Sequence, residues 1–306
     1  LGSIWNQLIA YQVTDIVNRF RRYADEYDVF VFHYGNSLAN DTLADIPLLK
    51  QRGKSVILYF HGCDVRQSKE TIKKYQFSAC KECWPHNCNK NREHATKTAL
   101  RYADEVWVST PDLLEFLPGA KLFLQPIDLT NLKFQPLKYS SQQGLIKLVH
   151  APSSSALKGT RFLTDSIDRI NRQRPALDYI LLEGLDHADL MIRLQEAHIG
   201  VDQLLIGSYG VFSIELMAKG IPVICYLRDD LVDSYPESPP VINANPESIY
   251  DVLFSAIDTI ESLDRLVLDA RRYVETYHCS EVAAHRAMSA YEAIRVSSSS
   301  MPLVAQ

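Results

Sequence analysis

Two doubly wound α/β domains in one chain are what the sequence predicts, and three observations carry that expectation. From Asp28 to Leu129, short apolar runs alternate with segments of helical period. The stretch TNLKFQPLKYSSQQG, Thr130 to Gly144, then has no apolar period and is punctuated by Pro136 and Gly144. The alternation restarts at Leu145. Strands separated by helices need crossover connections, and those build parallel sheets covered by helices. A chain of 306 residues is long enough for two such domains.

Taken in order, Leu8, Ile9, Val13, Ile16, Val17 and Phe20 recur at helical spacing and predict a helix over Ile4 to Tyr27. DVFVFHYG, Asp28 to Gly35, reads as a buried strand, and a helix follows over Leu43 to Arg52. SVILYFHG, Ser55 to Gly62, is the next strand. A cysteine-bearing segment leads to a helix over Asn91 to Ala103. EVWVST (Glu105 to Thr110), a short helix from Pro111 to Phe116, and KLFLQPIDL (Lys121 to Leu129) complete the first half. In the second half, strands are expected at Leu145 to His150, Leu177 to Glu183, Ile199 to Leu204, Pro222 to Tyr226 and near Val241. The helices between and after them are Gly159 to Gln173, His187 to Ala197, Val211 to Lys219, Glu247 to Ile260, Leu263 to Tyr277 and Glu281 to Val296. A frayed tail, SSSSMPLVAQ, closes the chain. The expected domains are 1–132 and 145–278, with 279–306 packing back on the first.

Composition narrows the function classes. Hydrophobic residues make up 46% and charged residues 23%, a globular balance. A net charge of −5 argues against a nucleic-acid partner, because phosphate contacts need a basic surface. No apolar run approaches the roughly 20 residues of a membrane span, so a transmembrane segment is not expected and peripheral membrane contact stays open. LGSIWNQLIAYQ lacks the basic region and apolar core of a signal peptide, and a cytoplasmic setting is expected.

The richest stretch is VDQLLIGSYGVFSIELMAKGIPVICY, Val201 to Tyr226. It reads as strand, loop with Gly207 and Gly210, helix, glycine stop, strand. Such a unit aims bare helix amides past the strand end, where phosphate is the usual guest. Glu215 lies one turn into the helix, placed for sugar hydroxyls. A glycine pair before a helix also serves packing alone. A second loop, HAPSSSALKGT (His150 to Thr160), ends another strand and offers Ser153 to Ser155 and Lys158 ahead of a helix, where a cation opposes the helix dipole unless an anion joins it.

Together these two stretches resemble the donor domain of GT-B glycosyltransferases of the group-1, family 4-like type. The resemblance implies two Rossmann-like domains facing a cleft. It implies that Ser153, Lys158 and the loop Gly207, Ser208, Tyr209, Gly210 and Val211 hold a nucleotide diphosphate, with Glu215 on the ribose. Two positions depart from the pattern: Pro152 stands where many members have arginine, and Gly207 where many have glutamate. GT-B first domains begin with a strand, and here the chain opens inside the helix expected after it, so the first domain is expected to lack that strand.

HGCDVR, His61 to Arg66, ends a strand of the first domain. One reading is a turn capped by Asp64. The resemblance implies instead an acceptor-side wall in which His61 touches the transferred sugar and Asp64 and Arg66 orient the acceptor or pair with each other; His33 and Tyr34 are lesser candidates. Four of the six cysteines cluster: Cys63, then Cys80, Cys83 and Cys88 in SACKECWPHNC, with His86 between. C-x-x-C is a chelating step, and three thiolates plus Cys63 or His86 would complete a tetrahedral structural zinc site. Buried thiols and a redox pair remain the alternatives.

The activity this implies is hexosyl-type transfer from a UDP- or GDP-sugar to an unidentified acceptor, retaining, with no metal needed for the chemistry. A nucleotide-sugar epimerase and a non-catalytic nucleotide-sugar binder are the alternatives.

Overall fold

In a computed structural model, which describes residues 2–83, 88, 92–136, 139 and 144–299, the chain divides into two units. Unit 1 comprises Leu1–Gln67, Cys88–Phe123 and His285–Gln306. Unit 2 comprises Ser68–Asn87 and Leu124–Ala284.

Unit 1 is built on four parallel strands, β1 (Val29–His33), β2 (Ser55–Phe60), β3 (Glu105–Val108) and β4 (Lys121–Leu122), in the order β1-β2-β3-β4. Every residue of β2 is buried, as expected of a parallel strand covered on both faces. Side chains alternate across it. Val56, Leu58 and Phe60 join Phe30, Ile46, Leu49, Ala95, Leu113 and Leu117 in one core. Tyr59 packs edge-on to Trp107 and Phe123, whose rings stack 4.3 Å apart. The helix Ser280–Ser299 brings Arg286 over the Phe123 ring, and its guanidinium donates to the Leu122 carbonyl.

Unit 2 carries β5 (Ile146–His150), β6 (Leu177–Leu181), β7 (Ile199–Val201), β8 (Val223–Cys225) and β9 (Ile242–Asn243), all parallel, in the order β6-β5-β7-β8-β9. The order reverses between β5 and β7, which makes that gap the topological switch point. One face of the sheet packs on the helices Thr160–Gln173 and Ile249–Thr259 through Leu148, Val201, Leu163, Ile167 and Leu253. Against the other lies the helix Val211–Lys219, so close to β7 that a Cβ on Gly200 would stand 2.4 Å from Leu216 Cδ1. This helix ends as its sequence requires. Gly220 adopts φ +83°, and the amides of Gly220 and Ile221 donate back to the carbonyls of Met217 and Leu216, a Schellman stop.

The alternation is as expected, but three boundaries move. KLFLQPIDL pairs as a strand only at Lys121–Leu122. Beyond it, Pro126 offers no N–H, and Ile127 instead bridges to Cys279 within unit 2. The middle segment of unit 1 therefore ends at Phe123 rather than at residue 132. Residues 68–87, expected in the first domain, cluster with unit 2. Their short helices Ser68–Lys74 and Ala79–Glu82, like Ser155–Lys158 and Asp229–Val232, are too brief to show a period in sequence. Residues 300–306 of the tail, and 137, 138 and 140–143 of the linker, lie outside the described residues. Among the described residues no helix is long and apolar enough to cross a membrane.

Gly200→Ala should destabilise unit 2 by about 1–3 kcal/mol, because Leu216 is fully buried and has nowhere to retreat. A urea midpoint equal to that of the wild type would show that the sheet and helix can part without cost.

Candidate functional site

The two loops singled out in sequence leave the carboxyl ends of β5 and β7, on either side of the switch point. Their backbones are joined: Leu204 N–H donates to the Lys158 carbonyl at 3.0 Å. The close approach explains the glycine after the lysine. Gly159 has φ +78°, and a Cβ there would sit 3.2 Å from Leu204 and Leu205. His150, at the end of β5, is 1% exposed and ties the strands to the following helix. Its Nδ1 faces the Val201 carbonyl at 2.8 Å and so carries the proton; Nε2 accepts from Thr160 Oγ1 at 2.8 Å. Burial lowers its basicity, which keeps the ring neutral.

Asp202 is the residue that organises this edge, and sequence reading assigned it no role. It is 1% exposed, and its carboxylate accepts from Lys158 Nζ at 2.7 Å, Gly210 N–H at 2.9 Å and Ser213 Oγ at 2.7 Å. Burial alone would raise its pKa. The Lys158 charge and the donated hydrogen bonds outweigh burial and hold it below the usual range. Lys158 also donates to Gln203 Oε1 at 2.8 Å. The lysine ends the short helix Ser155–Lys158 and directly precedes the N-cap of Thr160–Gln173; the counter-charge that offsets that helix start is Asp202. Gly210 is constrained by the same cluster, since a Cβ there would stand 3.0 Å from Asp202 Oδ2 and 3.2 Å from Lys158 Nζ.

The other expected residues fall on the same edge with different fates. The amides of Val211, Phe212 and Ser213 open the helix and have no carbonyl one turn back to receive them. Glu215 is 8% exposed, and its carboxylate meets His187 Nε2 at 2.7 Å. Burial raises its pKa, with His187 opposing the shift. Ser153 is exposed, and Ser155 donates to Glu183. The Ser208 carbonyl accepts from the Gln203 amide. The Tyr209 side chain is buried, with its hydroxyl 2.9 Å from His278 Nε2 and 3.1 Å from the Tyr273 hydroxyl, and its ring on Tyr235. Only its backbone is placed to serve the loop. Asp186 caps its helix by accepting from Asp189 N–H.

Gly207, where the resemblance noted in the sequence would place a carboxylate, leaves no room for a side chain. The residue has φ +81°, and a Cβ would fall 2.6 Å from Arg228 Cγ. Arg228 fills that volume. Its amide donates to the Gly207 carbonyl at 3.0 Å, its side chain is 7% exposed, and its fork binds Asp230 at 2.9 and 2.7 Å.

In unit 1 the turn after β2 orders itself. Asp64 is fully buried, and its oxygens accept the amides of His61 and Gly62, the capping role weighed in sequence. Burial raises its pKa against those hydrogen bonds. Arg66 donates to Asp112 from Nε and Nη2 at 3.0 and 2.5 Å. His61 lies parallel to His33, with its Nε2 3.0 Å from His33 Nδ1, and beside Tyr59. Cys63 is exposed; Cys80, Cys83 and Cys88 are half-buried. Among the described residues no group of three or more His, Cys, Asp or Glu could hold a metal, and no disulfide forms; His86 lies outside them.

Two outcomes follow from the Asp202 cluster. Lys158→Ala strands a buried carboxylate and should cost about 3–5 kcal/mol, whereas adding Asp202→Asn should recover most of that loss. Equal stabilities for the single and double variants in urea melts would show that the pair is not coupled. The second outcome concerns acid. Because the folded pKa of Asp202 lies below the unfolded value, near ~3.9, the unfolded chain binds the proton first as pH falls. Its stabilising contribution is complete above that value and is lost as pH drops through the folded one. Asp202→Asn should flatten the pH dependence of unfolding in that acid window, and an unchanged slope would place the proton elsewhere.

No family model matches the chain, and no curated protein matches it. Solved structures do. Sucrose-phosphate synthase from Thermosynechococcus elongatus superposes with a TM-score of 0.65 at 16% identity, over 92% of this chain and 77% of that one. Anabaena HepE in complex with UDP gives 0.60 at 13% identity, over 90% and 82%. The same protein with UDP-glucose gives 0.58 at 12% identity, over 94% and 82%. At such identities the likeness establishes architecture, and function has to be argued from the site. The two parallel α/β units of this chain have the GT-B fold.

Proposed function

We propose that the chain is a glycosyltransferase that takes a glycosyl group from a nucleotide-diphosphate sugar bound by unit 2. The observation that carries this reading is the convergence at one switch point of Lys158, the opening amides of Val211–Lys219 and Glu215. An ammonium and a helix start suit a diphosphate, and a recessed carboxylate beside them suits the hydroxyls of a ribose. Structures of the same fold carry UDP and UDP-glucose, which makes uridine nucleotides the first donors to test.

In this mechanism the hard step is departure of the nucleoside diphosphate. Charge grows on its oxygens as the glycosyl bond breaks. Two of the three Lys158 N–H groups go to Asp202 and Gln203 among the described residues, and the third meets the phosphate. The helix amides are fixed before the substrate arrives, so little reorganisation is needed when charge develops. Glu215, held by His187, anchors the nucleoside. In unit 1, His61, set by its turn and by His33, is assigned to the acceptor side. Retention of configuration and independence from metal belong to the same reading.

The test is incubation with labelled UDP- and GDP-sugars, with and without an acceptor extract. Acceptor-dependent release of nucleoside diphosphate is expected. Glu215→Gln should weaken UDP binding by roughly 10- to 100-fold, the worth of a charged hydrogen bond. An epimerised donor would mark an isomerase. Binding without turnover would mark a nucleotide-sugar binder, the reading that Pro152 and Gly207 favour. Unaltered UDP affinity in Glu215→Gln would remove the ribose assignment.

A further inference from the structure

The segment Ser68–Glu82 comes from the first half of the chain, yet its contacts run along one edge of unit 2. Ala79 N–H donates to the Leu205 carbonyl at 3.1 Å, in the loop after β7. Phe77 stands edge-on to Tyr226, and Tyr75 lies under the Arg228 guanidinium at 3.6 Å, both after β8. Gln76 donates to Glu247, after β9, at 2.6 Å, and Glu82 meets Arg161, after β5, at 2.7 Å. In a parallel sheet all these loops leave the carboxyl ends of the strands. That is the edge that carries Lys158 and Gly210.

We propose that Ser68–Glu82 is a brace for the loop Gln203–Val211, and that Tyr75, acting through Arg228, is a positioning residue for nucleotide-sugar binding. The proposal rests on the reading of that loop as the donor loop. The physical chain is short. Gly207 has φ +81° and no side chain to anchor it. What supports it is Arg228, by the bond from its amide to the Gly207 carbonyl and by aliphatic carbons that occupy the place of a Cβ. Arg228 is in turn held between the Tyr75 ring and the fork to Asp230. The Asp230 side chain is 61% exposed, so this ion pair alone does not confine the guanidinium. The aromatic face is a further hold on it. Without it the arginine is held less firmly, and so is the loop backbone at Gly207 that it supports. A loop that must be ordered on binding costs affinity.

The test compares the full chain with Tyr75→Ala and Tyr75→Phe. UDP affinity is measured by calorimetry and backbone exchange of residues 203–211 by deuterium labelling. Tyr75→Ala should weaken UDP binding roughly 3- to 30-fold, the range of a partly buried cation–π contact. It should also speed exchange in 203–211 while leaving β1–β4 unchanged, and raise KM for the nucleotide sugar with kcat kept. Tyr75→Phe preserves the ring and should behave as wild type. Wild-type affinity and exchange in Tyr75→Ala would overturn the proposal, as would a Tyr75→Phe variant as impaired as Tyr75→Ala. If the unaltered chain binds no UDP, the donor reading fails on its own, and the exchange comparison still decides whether Tyr75 braces the loop.

Discussion

A buried carboxylate governs the carboxyl edge of unit 2. Asp202 gathers the Lys158 ammonium, the Gly210 amide and the Ser213 hydroxyl around two oxygens. An ion buried this deeply would be costly alone; it is tolerable because both oxygens accept hydrogen bonds and one of the donors is a cation. The same bonds tie two loops, separate in sequence, to one another. They fix where the lysine stands and how the helix Val211–Lys219 begins. The cation and the helix start thus share one anion. A diphosphate would therefore be received by groups that are positioned in advance rather than by a bare cationic patch.

Much of the architecture could be read from residues, and the reason is local. Val211 to Lys219 was expected as a helix and forms with those bounds, because a glycine stop and a strand after Pro222 leave it no other length. The alternation of strands and helices in unit 2 was legible, but the strand order that makes its switch point is set by pairing and is seen only in the structure. What escaped was set by partners remote in sequence. Asp202 at a strand end could as well have capped a turn. Arg228 shows no pattern at all, since its role depends on Gly207 before it and Tyr75 far before that. The lysine of the K-G pair stands ahead of a helix start as expected; what the sequence did not disclose is that its anion is Asp202, from another loop.

The two ends of the candidate machinery differ in how well they are determined by bonds. In unit 2, Lys158, Glu215 and the loop backbone are each held by named partners. In unit 1, Asp64 accepts the amides of its own turn and Arg66 donates to Asp112. What the turn presents is the His61–His33 pair.

The path of the chain has a consequence for how the molecule is made. It passes from one unit to the other at Gln67–Ser68, Asn87–Cys88, Phe123–Leu124 and Ala284–His285. Tyr75 therefore leaves the ribosome well before Arg228 exists to receive it, and Phe123 is synthesised long before Arg286 can cover it. Domains that fold as they emerge finish in order, first one and then the next. Here neither unit can finish that way: each waits on residues that follow part of the other. A cut at the linker would not yield two halves but two fragments, each carrying a piece that belongs to its neighbour.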